Sequence, residues 1–210
     1  DIDAWVGLFA DTAKVLGAEV DKNELYGRLF RAALEGDPDC GGIVSVNYLA
    51  GEHLTETEVG RPMVVRLPDG KMTAANFMRA QLNAAISTLA LGMQMLQEKE
   101  QVESDMLLGH GGFFKTPGVG QQILANALNV PISVMETAGE GGPWGMALLA
   151  AYMAWKEEGE TMEDYLKNKV FADAKSVSLD PDPVGVEGFQ VYHARYKAGL
   201  AAEQAAAAVN

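Results

Sequence analysis

The chain has little cysteine, histidine or basic charge, and each shortage excludes a class of protein. Its single cysteine, Cys40, excludes an intrachain disulfide and a zinc site built on several cysteines. The three histidines, His53, His110 and His193, are far apart in the sequence, so we do not expect a histidine-rich metal cluster. Acidic residues outnumber basic ones by 29 to 16, which gives a formal charge of −13. Because nucleic-acid phosphates are bound by clustered lysine and arginine, no nucleic-acid partner is expected.

Long apolar runs are also missing from the sequence. None approaches the roughly 20 residues that a membrane-spanning helix needs, so we expect no membrane partner and a reducing, cytoplasmic location. The chain begins at Asp1, without an initiator methionine and already in a helical pattern. We therefore expect a piece of a longer protein, with part of its functional site upstream. The 210 residues, 48% of them apolar, are sufficient for a hydrophobic core.

Helical and strand patterns alternate along the chain. Apolar residues at helical spacing predict helices over residues 1–17, 21–34, 73–99, 119–128, 144–157 and 186–208. Short apolar or β-branched runs predict strands over residues 43–49, 63–67, 106–108 and 132–135. Asp21, three residues before Glu24, has the pattern of a helix N-cap, and so does Thr161. Alternating strands and helices predict an α/β layered domain.

A glycine-rich turn over residues 109–116 lies between a predicted strand and a predicted helix. Glycines at such a place let the backbone approach a ligand, and a helix N-terminus favours anions. The turn nearly matches both a phosphate-binding loop, through Gly109, Lys115 and Thr116, and a dinucleotide-binding turn, through Gly109 and Gly111. Both patterns fail at Phe114, which stands where each requires a glycine. A tight turn without any ligand is therefore an alternative.

A second glycine cluster, residues 139–145, also lies between a predicted strand and a predicted helix. Two such turns at the ends of neighbouring strands form a crevice, which is the usual ligand site of an open α/β sheet. The alternative is that Gly145 and Ala147 only allow the helix to pack closely on the sheet. Glu52 and His53, on a polar loop after a strand, are weaker candidates, since solvated loops commonly carry such residues.

Four segments carry a resemblance to a known family. Residues 47–55, 111–117, 122–132 and 145–151 resemble, in order and spacing, the segments P-Y-L-x-G-E-R-T-P, G-G-G-A-K-S-P, Q-I-x-A-D-V-L-G-x-P-V and L-G-A-A-x-x-A of the FGGY carbohydrate kinases. The agreement extends over about residues 40–200. The chain departs from the family where Phe113 and Phe114 replace glycine and alanine, where His53 replaces arginine, and where Asn126 replaces aspartate.

The resemblance implies a ribonuclease-H-like (actin-like ATPase) domain, with a mixed sheet flanked by helices, from a two-domain kinase. Residues 1–210 would be the C-terminal, ATP-binding domain, incomplete at its N-terminus. In such kinases the catalytic aspartate and most sugar contacts belong to the N-terminal domain, so no catalytic residue and no metal ligand is expected here. The implied substrates are ATP with Mg²⁺ and a ketopentose such as xylulose or ribulose. The implied partners are the missing N-terminal domain and, since family members often pair, a second copy in a homodimer.

The resemblance also assigns site residues. The nucleotide-binding residues implied by the matched motifs are Gly111, Gly112, Phe113, Lys115, Thr116 and Gln122. Glu52 and His53 would form one wall of the cleft. Two other functions stay open. The first is a non-catalytic, actin-like nucleotide-binding or assembly module, which the substitutions at Phe113 and Phe114 favour. The second is a nicotinamide-dependent oxidoreductase, for which Glu136 has the required spacing from the glycines.

Overall fold

The computed structural model describes residues 1–136 and 141–209, which form seven helices and five strands. The helices are α1 (Ile2–Val15), α2 (Lys22–Glu35), α3 (Ala74–Glu100), α4 (Val119–Leu128), α5 (Gly141–Trp155), α6 (Met162–Tyr165) and α7 (Pro183–Ala207). The strands are β1 (Ile43–Val46), β2 (Met63–Arg66), β3 (Leu107–Gly109), β4 (Ile132–Met135) and β5 (Ser176–Leu179). The predicted α/β class is confirmed.

The strands form two small sheets. β1 and β2 are antiparallel, with Ile43 opposite Arg66. In the second sheet β4 is central, parallel to β3 and antiparallel to β5, so this sheet is mixed. Because β3, α4 and β4 follow one another and the two strands are parallel, they form a βαβ unit whose strands end at the same edge.

Side-chain caps fix the starts of several helices. The Asp21 carboxylate accepts a hydrogen bond from the Glu24 backbone N–H at 2.9 Å, as predicted. The Thr161 hydroxyl accepts from the Asp164 N–H at 3.1 Å, which confirms the second predicted cap. Asp182 caps α7 through the Gly185 N–H at 3.1 Å, and Pro183 then occupies the first helical position. The last helix therefore begins three residues earlier than predicted.

Two other predictions differ from the structure. The strand predicted over residues 43–49 ends at Val46, because the chain then leaves the sheet and buries Tyr48, whose hydroxyl accepts from the Tyr196 hydroxyl at 2.8 Å. β5 was not predicted from the sequence. Its four residues are mostly exposed and include only two apolar side chains, so the strand depends on pairing with β4 rather than on its own pattern.

Helix α3 runs through the centre of the core, with Met78 and Leu82 fully buried. Helix α7 packs across α3 and β1, and its Tyr192 hydroxyl donates to the carbonyls of Ala80 at 3.1 Å and Ser45 at 3.3 Å. The first and last parts of the chain therefore share one core. No helix in the described ranges is both long enough and apolar enough to cross a bilayer.

Candidate functional site

The glycine turn, residues 109–112, leaves the sheet at the end of β3. Gly109 is buried beneath the Phe114 ring, and a Cβ atom at Gly109 would lie 2.5 Å from Phe114 Cζ. A side chain cannot fit at Gly109 unless Phe114 moves. The phenyl ring that breaks both glycine patterns of the sequence therefore packs directly on the first glycine of the turn.

Gly112 is exposed to solvent, and Gly111 is partly exposed. Gly111 has a φ of +101°, a conformation that favours glycine, and a Cβ atom at either residue would meet no described atom within 4 Å. Within residues 1–136 and 141–209, the bend is thus not covered by other protein atoms, and a ligand can reach its backbone. This is the arrangement that the sequence pattern predicts for a binding turn.

Phe113 and Phe114 pack the turn onto α4. Their ring centroids are 5.7 Å apart and the rings are nearly perpendicular, a favourable edge-to-face arrangement. The Phe113 ring and carbonyl lie so close to Gly120 of α4 that a Cβ atom there would collide with them. The two rings, partly buried against the core, fix the short 3₁₀ turn Gly112–Phe114 to the start of α4.

A groove beside this turn, which we call the β4–β5 groove, has a volume of about 530 Å³. Its aliphatic floor comes from β4 and β5 and includes Val134 and Val177, and the Phe114 ring lies on its wall. Lys115, Thr116 and the exposed Glu136 supply the polar groups of the rim. The volume lies within the range of small-molecule sites, and the mixture of an apolar floor and a few polar groups is typical of them.

Gln121 of α4 is the buried polar residue of the groove, and sequence reasoning missed it. Its side chain is 4% exposed, and Nε2 donates to the carbonyls of Ile132 and Val177 at 2.7 Å each. These two hydrogen bonds connect α4 to β4 and β5. The sequence gives no signal that distinguishes Gln121 from Gln122, which the motif match selects.

Gln122 faces a different part of the molecule. Its Nε2 donates to Asn126 Oδ1 and to the Asp180 carbonyl, both at 3.0 Å. Asn126 Oδ1 also accepts from the Asp182 N–H at 2.8 Å, so this pair of side chains holds α4 against the connection between β5 and α7. Gln122 does not line the β4–β5 groove.

Glu52 and His53 lie on a loop of residues 50–61. The backbone of Glu52 pairs with that of Thr57, with N–H to carbonyl distances of 2.7 and 3.0 Å, and the Glu52 carboxylate accepts from the Leu54 N–H at 3.0 Å. Both residues line a shallow depression that shares no residue with the β4–β5 groove. The structure therefore brings the glycine turn, Lys115 and Thr116 together, and it places Glu52 and His53 elsewhere.

The second glycine cluster falls partly outside the described residues, since Gly139 and Glu140 lie in the gap. Gly145, in the first half of α5, has no described atom within 4 Å of a Cβ position. Close helix-to-sheet packing at Gly145 is therefore not present in the described part of the chain. Within the same ranges, no three histidine, cysteine, aspartate or glutamate side chains come together as a metal site.

Comparison with protein-family models gives a match over residues 1–154 to the C-terminal domain of the FGGY family of carbohydrate kinases. The matched segment includes the glycine turn, α4 and the 50–61 loop. It ends before β5 and α7. No curated protein matches the sequence.

Solved structures show the same fold. A xylulose kinase from Rhodospirillum rubrum superimposes with a TM-score of 0.67 at 20% identity, over 95% of this chain and 37% of that one. A gluconate kinase from Lactobacillus acidophilus superimposes with a TM-score of 0.63 at 19% identity, over 86% of this chain and 35% of that one. A glycerol kinase with ADP from Plasmodium falciparum superimposes with a TM-score of 0.58 at 13% identity, over 84% of this chain and 33% of that one. The chain thus spans about a third of the length of these proteins, and the expected ribonuclease-H-like fold is confirmed.

Proposed function

Because the chain belongs to the FGGY family of carbohydrate kinases, we propose that it is the C-terminal, nucleotide-binding portion of a cytoplasmic, ATP-dependent sugar kinase. Residues 1–210 would form this domain, incomplete at its N-terminus. The observation that carries the proposal is the uncovered turn at Gly111 and Gly112, next to a groove large enough for a nucleoside.

The proposed roles follow from the local geometry. Gly111 and Gly112 allow the ribose or α-phosphate to approach the backbone, and Phe113 fixes the turn through its contact with α4. Lys115 and Thr116, on the rim of the groove, supply a cation and a hydroxyl for the phosphates. Gln122 would support the site from α4 through its bond to Asp180.

The remainder of the reaction is assigned to a second domain. Phosphoryl transfer requires a base that orients the sugar hydroxyl and a cation that neutralises the phosphates, which is what Mg²⁺ supplies when bound with ATP. As the resemblance to the family implies, the protein ligands of this cation would belong to the N-terminal domain. Glu52 and His53 would form part of the cleft wall on the sugar side, away from the nucleotide. The isolated chain is therefore expected to be catalytically silent.

A ketopentose such as xylulose or ribulose is the proposed sugar. The likeness to xylulose kinases supports it, while the similar likeness to a gluconate kinase and a glycerol kinase requires a panel of substrates. The test is sugar-dependent release of ADP by the longer kinase with Mg²⁺ and xylulose, ribulose, gluconate or glycerol. Turnover with none of the four would contradict the kinase function, and turnover only with gluconate or glycerol would contradict the ketopentose.

Nucleotide binding has its own test on the 210-residue chain. Gly112 does not have a positive φ and a methyl group there meets no described atom, so G112A should leave the melting temperature within 1–2 °C of wild type, roughly the spread of surface substitutions. The methyl group would occupy the place of the ligand, and the affinity for ATP–Mg²⁺ in calorimetric titration should fall by about tenfold or more.

Gly7→Ala is the matched control, because Gly7 lies in α1 and also has no described atom near its Cβ position. It should leave ATP affinity unchanged. Unaltered ATP binding by G112A would show that the nucleotide does not approach this turn.

One observation favours a different function. Phe113 and Phe114 fill the turn where the family motif has small residues, which would suit an actin-like binding or assembly module without kinase activity. ATP binding by the longer protein without sugar-dependent ADP release would support this module.

An oxidoreductase would need a third glycine, and Phe114 stands at its position. Binding of NADH in preference to ATP would be the signature of this function, with Glu136 at the end of β4 as the ribose ligand.

A further inference from the structure

We propose that Gln121 reads the base of the bound nucleotide and makes the site selective for adenine over guanine. The inference rests on the proposed function, because it assumes that the β4–β5 groove receives the base. It concerns a residue next to the one that the family motif selects.

The Gln121 amide can have only one orientation. Its Nε2 lies 2.7 Å from the carbonyl oxygens of both Ile132 and Val177, and each of these can only accept a hydrogen bond. Reversal of the amide would place its oxygen against two carbonyl oxygens. Both protons of Nε2 are used by these bonds, so the side chain cannot donate to a ligand.

Oε1 of Gln121 is therefore the atom that remains for a ligand. Gln121 lines the groove and is 4% exposed, and within the described ranges its side-chain hydrogen bonds are the two that Nε2 donates. Oε1 is not among the buried side-chain atoms that lack a hydrogen-bond partner, so it keeps contact with solvent, and the donor of a ligand can replace water there. The groove thus contains one immobile acceptor at the foot of its wall.

The other surfaces of the groove suit a flat aromatic base. The Phe114 ring lies on the wall, and Val134, Val177 and Leu179 belong to the floor, so a base can be held between apolar surfaces without further hydrogen bonds. Lys115 is exposed and near the rim, where phosphates would lie. Among the lining side chains, the fixed amide of Gln121 is thus the buried group that can distinguish one purine from another.

Adenine and guanine differ at the atom that would meet this acceptor. Adenine has a 6-amino group, which donates a hydrogen bond to Oε1. Guanine has a 6-oxo group, which would place oxygen against oxygen and leave without a donor two acceptors that the bound base covers. Sites that fix a polar group in this way reject the mismatched ligand strongly, because a buried group is left unpaired.

The first experiment uses the wild-type chain and four nucleotides with Mg²⁺ in calorimetric titration: ATP, purine riboside triphosphate, ITP and GTP. Removal of the 6-amino group, in purine riboside triphosphate, should weaken binding about tenfold, the effect of one lost hydrogen bond. ITP and GTP, which have the 6-oxo group, should bind about 100-fold more weakly than ATP. Equal affinities for all four, or a preference for GTP, would overturn the inference.

The second experiment tests Gln121 itself. Q121M keeps the length of the side chain and removes its acceptor, so the ratio of ATP to ITP affinity should fall to within about threefold of unity. The melting temperature should also fall, because two carbonyls lose their donor. The matched control is Q190M, since Gln190 is exposed on α7 and does not line the groove; the ATP to ITP ratio should not change.

The outcomes separate the two proposals. If no nucleotide binds, the proposed function fails and the inference fails with it. If nucleotides bind without discrimination, or if Q121M keeps the wild-type ratio, only the role of Gln121 is overturned. If Q121M does not fold, the series of four nucleotides on the wild-type chain decides the question.

Discussion

His193 should make the stability of the fold depend on pH. The residue lies on α7, is 8% exposed, and is held between Phe189 and Tyr196, with ring centroids 5.2 and 5.8 Å from its own. Burial away from water, together with the nearby Lys197 ammonium, lowers the pKa of His193 from 6.5 to about 4. The folded protein therefore holds this imidazole in its neutral form over a range where the unfolded chain protonates it.

The direction in which stability changes with pH follows from the number of protons that the folded and unfolded states bind. Between pH 6.5 and about 4 the unfolded state binds more protons at His193 than the folded state, so the free energy of unfolding decreases as the pH falls through this window. The pKa difference of about 2.5 corresponds to a loss of up to about 3 kcal/mol, fully developed below pH 4 and absent above pH 6.5. This loss is a large fraction of the stability of an ordinary domain.

Urea denaturation at pH 7, 5.5 and 4 would measure this effect. Between pH 7 and pH 4, the free energy of unfolding of wild type should fall by up to about 3 kcal/mol more than that of His193→Gln, whose side chain does not titrate. The control His110→Gln, at an exposed position, should follow the wild-type curve. An NMR titration of the His193 ring would locate its pKa directly. A ring that titrates near 6.5, or parallel curves for wild type and His193→Gln, would refute the reasoning.

Two further predictions concern other parts of the chain. Burial raises the pKa of the Cys40 thiol, and Asn83 Nδ2 lies 3.3 Å from its sulfur. A thiol reagent should therefore leave the native chain unmodified and modify one cysteine in urea. Modification at the same rate in both states would contradict this burial. On α5, Met153 is 80% and Trp155 is 73% exposed, and replacing both with lysine should reduce the binding of an apolar fluorescent dye without changing the melting temperature. Unchanged dye fluorescence would show that the dye binds elsewhere.

The sequence predicts the helical part of this fold well, because the helices have local signals. The periodic apolar residues and the Asp21 cap give α2 within one residue, and α4 and β4 have the predicted bounds. β5 has no such signal. Its residues become a strand only because β4 offers an open edge, and that edge is formed by a segment about 40 residues earlier.

In the candidate site, too, some features can be predicted from the sequence and others cannot. The glycine turn is visible in the sequence because a run of glycines after a strand has few structural explanations. Gln121 is not visible, because it differs from Gln122 only by the rotation of about 100° that separates successive residues on a helix. Which of the two side chains faces the groove depends on how α4 packs on β4 and β5, and Gln121 makes that contact.

The tyrosines of α7 have a consequence for the order in which the protein folds during synthesis. Tyr192 bonds to the Ser45 carbonyl, 147 residues earlier, and Tyr196 bonds to Tyr48, 148 residues earlier. A ribosome makes roughly 5–20 residues per second, so β1 waits roughly 7–30 seconds before these partners emerge. During that interval the N-terminal half has an incomplete interior, and its nascent apolar surface is a natural substrate for chaperones.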